Sequence, residues 1–141
     1  VFTIPATEPD PDLVSVMMPF DATFAPVYQA ISEAATQEGW KCQRADEIFN
    51  NGPIIQDIVN LIAVSQAVIC DLSGRNANVF YEAGIAHTIG RNVLLLARDQ
   101  RDVPFDLQHL RYISYTNNTQ GLGELKDKVL KHLEATKSAN R

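Results

Sequence analysis

The run Ala67 to Arg91, AVICDLSGRNANVFYEAGIAHTIGR, constrains the fold more than any other stretch. It predicts a buried strand over Ala67–Leu72, a tight polar loop over Ser73–Ala77 and a helix over Asn78–Gly90. The strand is apolar without alternation until Asp71. That is the pattern of a strand covered on both faces, and such strands belong to parallel sheets flanked by helices. A helix N-terminus follows the loop, and its N–H groups and dipole favour an anion. Asn78 and Glu82 are four residues apart and share one face of the helix. Asp71, at the strand end, is expected to point into the same crevice. Taken singly, Asp71 also suits a loop cap and Glu82 a solvated helix position. Together, at the carboxyl end of a central strand, they mark a candidate site, because open α/β sheets bind ligands there.

The rest of the chain repeats this alternation. Leu13–Met18 reads as a first strand, and Pro19-Phe20-Asp21 as a turn. Phe24, Val27, Tyr28, Ile31, Ala34 and Ala35 then carry helical spacing up to Gly39. Lys41–Ala45 is a short second strand, Asn50–Pro53 a loop, and Pro53 to about Val64 a helix with Ile54, Ile55, Ile58, Leu61 and Ile62 inward. Asn92–Ala97 is a fourth strand, Val103–Leu110 a stretch with a short helical turn, and Arg111–Tyr115 an exposed fifth strand. Thr116–Gly123 reads as a polar loop and Glu124–Ala135 as an amphipathic helix.

Five strands alternating with helices predict a flavodoxin-like α/β three-layer sandwich with a parallel sheet, order 2-1-3-4-5. Its switch-point crevice lies between the loops after strands 1 and 3, where Met18–Asp21 and Ser73–Asn78 fall. The domain is expected over 13–136. The proline-rich stretch 1–12 reads as a linker or tail, and 137–141 as a frayed end. Starting with Val, the chain reads as a domain of a longer protein or a processed start, so a fused partner domain is expected.

The net charge of −5, with 12 scattered Lys and Arg residues, argues against a nucleic-acid groove. No apolar run approaches the roughly 20 residues that span a bilayer. Cys42 and Cys70 read as small core residues, which fits a reducing cytoplasm. No metal-ligand spacing is present, and no cofactor is expected. His87, five positions after Glu82, is turned about 140° away around the helix. It reads as a residue that packs or that supports the site from behind, and Arg75 as a solvated loop residue.

The motifs MMPF after the first strand, RAD after the second, and Asp71–His87 (DLSGRNANVFYEAGIAH) resemble bacterial TIR-like domains related to nucleoside 2-deoxyribosyltransferases. The resemblance spans Val14 to about Tyr115. It implies chemistry at a glycosidic carbon, with Glu82 matching the Glu that attacks C1′ of the sugar. An oxocarbenium-like transition state wants such an anion, and a carboxylate can trap the sugar covalently. On this reading Asp71 protonates the leaving base and Asn78 holds Glu82 or a sugar hydroxyl. Phe20 stacks on the base, and Ser73 and Gly74 face a phosphate. Arg44 and Asp46 end the second strand, where Arg44 either reaches a phosphate or pairs with Asp46. The deoxyribosyltransferases carry a further acid shortly before the Glu. Asn76 and Asn78 occupy that stretch here, which leaves hydrolysis or ligand binding open beside base transfer. Three functions follow as expectations. The first is an N-glycosidase acting on a nucleoside, nucleotide or NAD-like ligand, as an effector domain in bacterial defence. The others are a nucleotide-sensing module without turnover, and a self-assembling homo-oligomeric signalling domain.

Overall fold

The computed structural model describes residues 2–45 and 55–139. Asp46, the Asn50–Pro53 loop and the start of the second helix lie outside the described residues. Five parallel strands form one sheet: β1 (Asp10–Met17), β2 (Lys41–Arg44), β3 (Ser65–Asp71), β4 (Asn92–Ala97) and β5 (Tyr112–Ser114), ordered β2-β1-β3-β4-β5. Among the described residues four α-helices accompany them: α1 (Ala25–Gln37), α2 (Ile55–Val64), α3 (Ala77–Thr88) and α4 (Thr119–Ala139). The architecture is the flavodoxin-like sandwich that the alternation predicts.

Two cores lie on the two faces of the sheet. On one, Val27 and Ile31 of α1 and Leu125, Val129 and Leu133 of α4 pack on Val14, Val16, Ala67 and Ile69. On the other, Ile58 and Ile62 of α2 and Val79, Ala83 and Ala86 of α3 pack on Met17, Val68 and Cys70. The residues of β3 therefore alternate between the cores, as successive side chains of a strand must. Even-numbered positions meet α2 and α3, and odd-numbered positions meet α1 and α4. This parity decides the fate of Asp71.

β1 begins at Asp10, inside the stretch read as a linker. Asp10 pairs in register with Ser65, and its carboxylate accepts from the Lys41 ammonium. Further upstream, the Thr3 N–H donates to the side chain of Gln56 on α2 (3.0 Å), and the Gln56 amide donates back to the Thr3 carbonyl (2.7 Å). The C-terminal helix also outruns its expected span, starting at Thr119 and reaching Ala139. Asn118 begins it, accepting from the Gly121 N–H at 2.7 Å. At its far end the Lys137 ammonium donates to the Gly39 carbonyl at 3.0 Å and lies 3.3 Å from the Asp12 carboxylate.

Gly121 explains how a helix can start through a sequence that reads as loop. A Cβ built there would stand 2.0 Å from the Thr116 carbonyl oxygen. The close turn into α4 thus requires glycine, despite its poor helix propensity. Gly121→Ala is expected to destabilise the fold by about 1–3 kcal/mol, as overpacking does. A urea midpoint equal to that of the parent protein would show that the turn has room to give.

Candidate active site

A cleft of about 260 Å³ opens at the carboxyl end of the sheet, between the loop after β1 and the start of α3. Met18, Pro19 and Phe20 line one wall, and Asn76, Asn78, Val79, Tyr81 and Glu82 the other, with Ile55 and Ile58 of α2 between them. This is the switch point of the sheet, where chain order reverses between β1 and β3 and the two loops diverge.

The wall on α3 is built by its cap. Asn76 is extended (φ −65°, ψ 119°), and its side-chain oxygen accepts from the Asn78 and Val79 N–H groups at 3.0 and 3.2 Å. That bond starts the helix and fixes the phase of all that follows. Val79, Ala83 and Ala86 then face the sheet. Asn78, Tyr81 and Glu82, spaced three and four apart, fall on the flank that borders the cleft. Asn76 and Tyr81 are functional candidates that the sequence motifs did not single out. The spacing of Tyr81 from Asn78 was the available signal for it.

Glu82 is mostly buried beside Val79 and Ala83 and has no hydrogen-bond or ion-pair partner among the described residues. Burial alone therefore acts on it, disfavours the charged form and raises its pKa to about 7. A carboxyl poised at neutral pH in a cleft is the electrostatic mark of a functional group. Beneath it the Cys70 thiol is fully buried and its pKa is pushed up, by burial first and then by the charges of Glu82 and Asp71. Cys70 is thus an inert floor rather than a nucleophile.

Phe20 and Asn78 stand where the sequence placed them. Both line the cleft, and Phe20 is 61% exposed. Asp71, Ser73, Gly74 and Arg44 do not line it. Asp71 is an odd-numbered position of β3, so its side chain enters the opposite core. There it is fully buried, accepting from the Tyr115 hydroxyl at 2.5 Å and from the Ser73 N–H at 2.9 Å. Burial raises its pKa, against the bonds from Ser73 and Tyr115 and the charge of Arg98. The Ser73 hydroxyl is buried with it and accepts from the Arg98 N–H. The Gly74 N–H, in a left-handed turn (φ 77°), donates to the Asp102 carboxylate at 2.9 Å. The Arg44 guanidinium lies 4.7 Å over the Tyr28 ring and donates to the Met18 sulfur. The expected phosphate contacts of Ser73, Gly74 and Arg44 are therefore not assembled at the cleft, and Asp71 is not positioned to protonate a base there. His87 is exposed on α3 rather than packed.

Among the described residues no group of His, Cys, Asp and Glu side chains is placed to hold a metal ion. No helix there is long and apolar enough to cross a membrane.

The fold and the cleft define a flavodoxin-like α/β protein with, among the described residues, one titratable carboxyl lining its switch point. No family model and no curated protein matches the chain. Among solved structures, a mutant flavo di-iron protein from Thermotoga maritima matches with TM-score 0.62 and 17% identity, over 90% of this chain and 37% of that one. A flavoprotein from the same organism matches at TM-score 0.61 and 16% identity, with the same coverage. A 2-desoxiribosyltransferase from Leishmania mexicana matches at TM-score 0.50 and 18% identity, over 62% of this chain and 65% of that one. The chain thus spans about a third of the length of the flavoproteins and about two thirds of the transferase. At such identities these likenesses show the fold.

Proposed function

We propose that the protein is an N-glycosidase acting on a nucleoside-type ligand, with Glu82 as its nucleophile. The observation that carries this reading is the lone Glu82 carboxyl, its pKa raised to about 7, set in the switch-point cleft beside Phe20 and Tyr81. Ionised Glu82 attacks C1′ of the sugar as the base departs, and water then releases the sugar from the glutamyl ester. Asn78, one turn before Glu82 on the same flank, supplies an amide for a sugar hydroxyl. Phe20 and Tyr81 supply aromatic faces for the base. The 2-desoxiribosyltransferase among the structural neighbours adds weight to glycosyl chemistry through its fold, and the motifs of Asp71–His87 add the rest.

The test is release of free base, followed by chromatography, from a panel of NAD, nucleoside monophosphates, ribonucleosides and deoxynucleosides. Base is expected from at least one member, and Glu82→Gln is expected to abolish it. Release that persists in Glu82→Gln, or none from any member by folded protein, would sink the reading. With a cleaved substrate in hand, Phe20→Ala is expected to raise KM about tenfold with a smaller change in kcat, the loss of one stacking face. A fall in kcat alone would place Phe20 outside base binding.

A further inference from the structure

A second hollow adjoins the cleft. It is a groove of about 490 Å³ along α3, walled by Tyr81 and Ile85 of that helix, Val59 of α2, and Phe2 and Ile4 of the N-terminal stretch, with Gly84 among them. Phe2 and Ile4 flank Thr3, which the Gln56 amide clips to α2 through its paired hydrogen bonds. The outer wall is therefore a tethered strap. Thr88 also lines the groove, and its hydroxyl donates to the Gly84 carbonyl at 2.7 Å, within the helix. Walls of this kind reward the burial of carbon rather than the making of hydrogen bonds.

Gly84 lies in the interior of α3 with ordinary helical backbone. Glycine there costs about 1 kcal/mol relative to alanine. Its two chain neighbours aside, among the described residues no side chain and no atom of another element stands within 4 Å of where a Cβ would be. Neither the backbone nor the packing of the fold therefore asks for glycine, and the space that a side chain would take belongs to the groove. Tyr81, 55% exposed, lines both the groove and the cleft, so the two hollows meet at its ring. The cleft, at about 260 Å³, lies at the low end of ligand pockets, which run from roughly 300 to 1,000 Å³, and the groove adds nearly twice its volume. From Tyr81 to Ile85 is about 6 Å along the helix axis, the span of a benzyl group or a short branched alkyl chain.

We infer that the nucleoside taken at the cleft carries an apolar substituent on its base, an alkyl or aryl group that passes Tyr81 and lies in the groove over Gly84. This rests on the glycosidase reading above, which sets the base against Phe20 and Tyr81. The part of the ligand nearest the groove is then the base, and a group attached to it reaches the strap without disturbing the sugar beside Glu82. Val59, Ile85 and the strap residues Phe2 and Ile4 close around that group, and Gly84 leaves the room for it.

Two pairs of probes test this: adenosine with N6-benzyladenosine, and uridine with 5-benzyluridine. Each is titrated against the Glu82→Gln protein for Kd and assayed for base release with the parent. In at least one pair the benzyl derivative is expected to bind about tenfold more tightly, the scale of burying part of an apolar ring, and its kcat/KM should be higher by a similar factor. Gly84→Leu, which fills the groove where a side chain has room, should bring that ratio to about one. Ile4→Asp, on the exposed strap, should lower it as well and carries the test if Gly84→Leu folds poorly. Equal binding within both pairs, or a preference that survives both substitutions, would overturn the inference, while base release by the parent would leave the glycosidase reading standing. A preference erased by Gly84→Leu, with no base released from any probe or from the wider panel above, would keep the groove as a binding site and remove the glycosidase reading. A dimer in sedimentation that the benzyl nucleosides leave intact and Gly84→Leu breaks would give the groove to a second copy of the chain and overturn the inference.

Discussion

Glu82→Gln is expected to lose base release by about a thousandfold, within the range for groups that act in the reaction, while making the protein more stable above neutral pH. The two effects share one cause. Burial with no partner holds the Glu82 pKa near 7 rather than at its ordinary value near 4.5. The folded state therefore binds this proton more tightly than the unfolded chain. Below about pH 4.5 Glu82 is protonated in both states and nothing is lost. As pH rises from there to 7, the unfolded chain gains the benefit of ionisation and the folded one does not, so stability falls. Above pH 7 the cost levels off, at roughly 3 kcal/mol from the size of the shift. Gln has the same shape and no charge to desolvate, so its melting temperature should exceed the parent's by several degrees at pH 8 and match it near pH 4. Activity runs the other way. On the proposed mechanism the nucleophile is the ionised form, so kcat/KM should rise about tenfold per unit below pH 7 and flatten above it. A melting difference equal at pH 4 and pH 8 would mean that Glu82 is solvated in the free protein. Stability given up at a site that needs a strained or desolvated group is a common exchange in enzymes.

The elements on which this depends were legible because their signals are local. The apolar runs Ala67–Cys70 and Val93–Ala97, within the expected strands Ala67–Leu72 and Asn92–Ala97, announce strands covered on both faces, and the structure places β3 and β4 there within two residues. The four-residue spacing of Asn78 and Glu82 needs only the helix period, and both reach the cleft. Asp71 was misjudged for the same reason that its strand was easy to find. A run with no polar alternation carries no information about which residues face which side, and a shift of one reverses the answer. Only the packing of Val68 and Cys70 under α2 and α3 reveals that odd positions face the other way. The start of α4 was hidden by competing signals. Gly121 and Gly123 read as loop, and they outweighed Asn118, a good cap, because the close approach of the Thr116 carbonyl belongs to tertiary structure. The prolines of the N-terminal stretch likewise describe an extended backbone but not the Gln56 amide that clips Thr3 to α2.

Asp71→Ala is expected to destabilise the protein by about 3–5 kcal/mol, the scale for removing one partner from a buried charged network. The network is small. The Asp71 carboxylate receives the Tyr115 hydroxyl and the Ser73 N–H. The Tyr115 oxygen in turn accepts from Arg98 Nε at 3.0 Å, and the Ser73 hydroxyl accepts from the Arg98 N–H at 2.9 Å. The Arg98 guanidinium is stacked 4.2 Å over the Phe24 ring, so the ends of β3, β4 and β5 and the turn after β1 meet in one cluster. Loss of the carboxylate leaves a hydroxyl and an N–H without their acceptor and removes the anion that faces the Arg98 charge, and buried donors left unpaired cost more than the bonds contributed. Tyr115→Phe removes one hydroxyl and keeps the packing, and should cost about 1–2 kcal/mol. Urea titrations measure both. The pair also separates structure from chemistry. If Asp71 were the acid that protonates the leaving base, Asp71→Asn would stop base release in protein that still folds. On the geometry described above, folded Asp71→Asn and Tyr115→Phe should keep release per molecule within about threefold of the parent, well short of the loss from removing an acid catalyst. A folded Asp71→Asn protein without activity would place this carboxyl back in the reaction, reached from the cleft through a rearrangement of the β3 end.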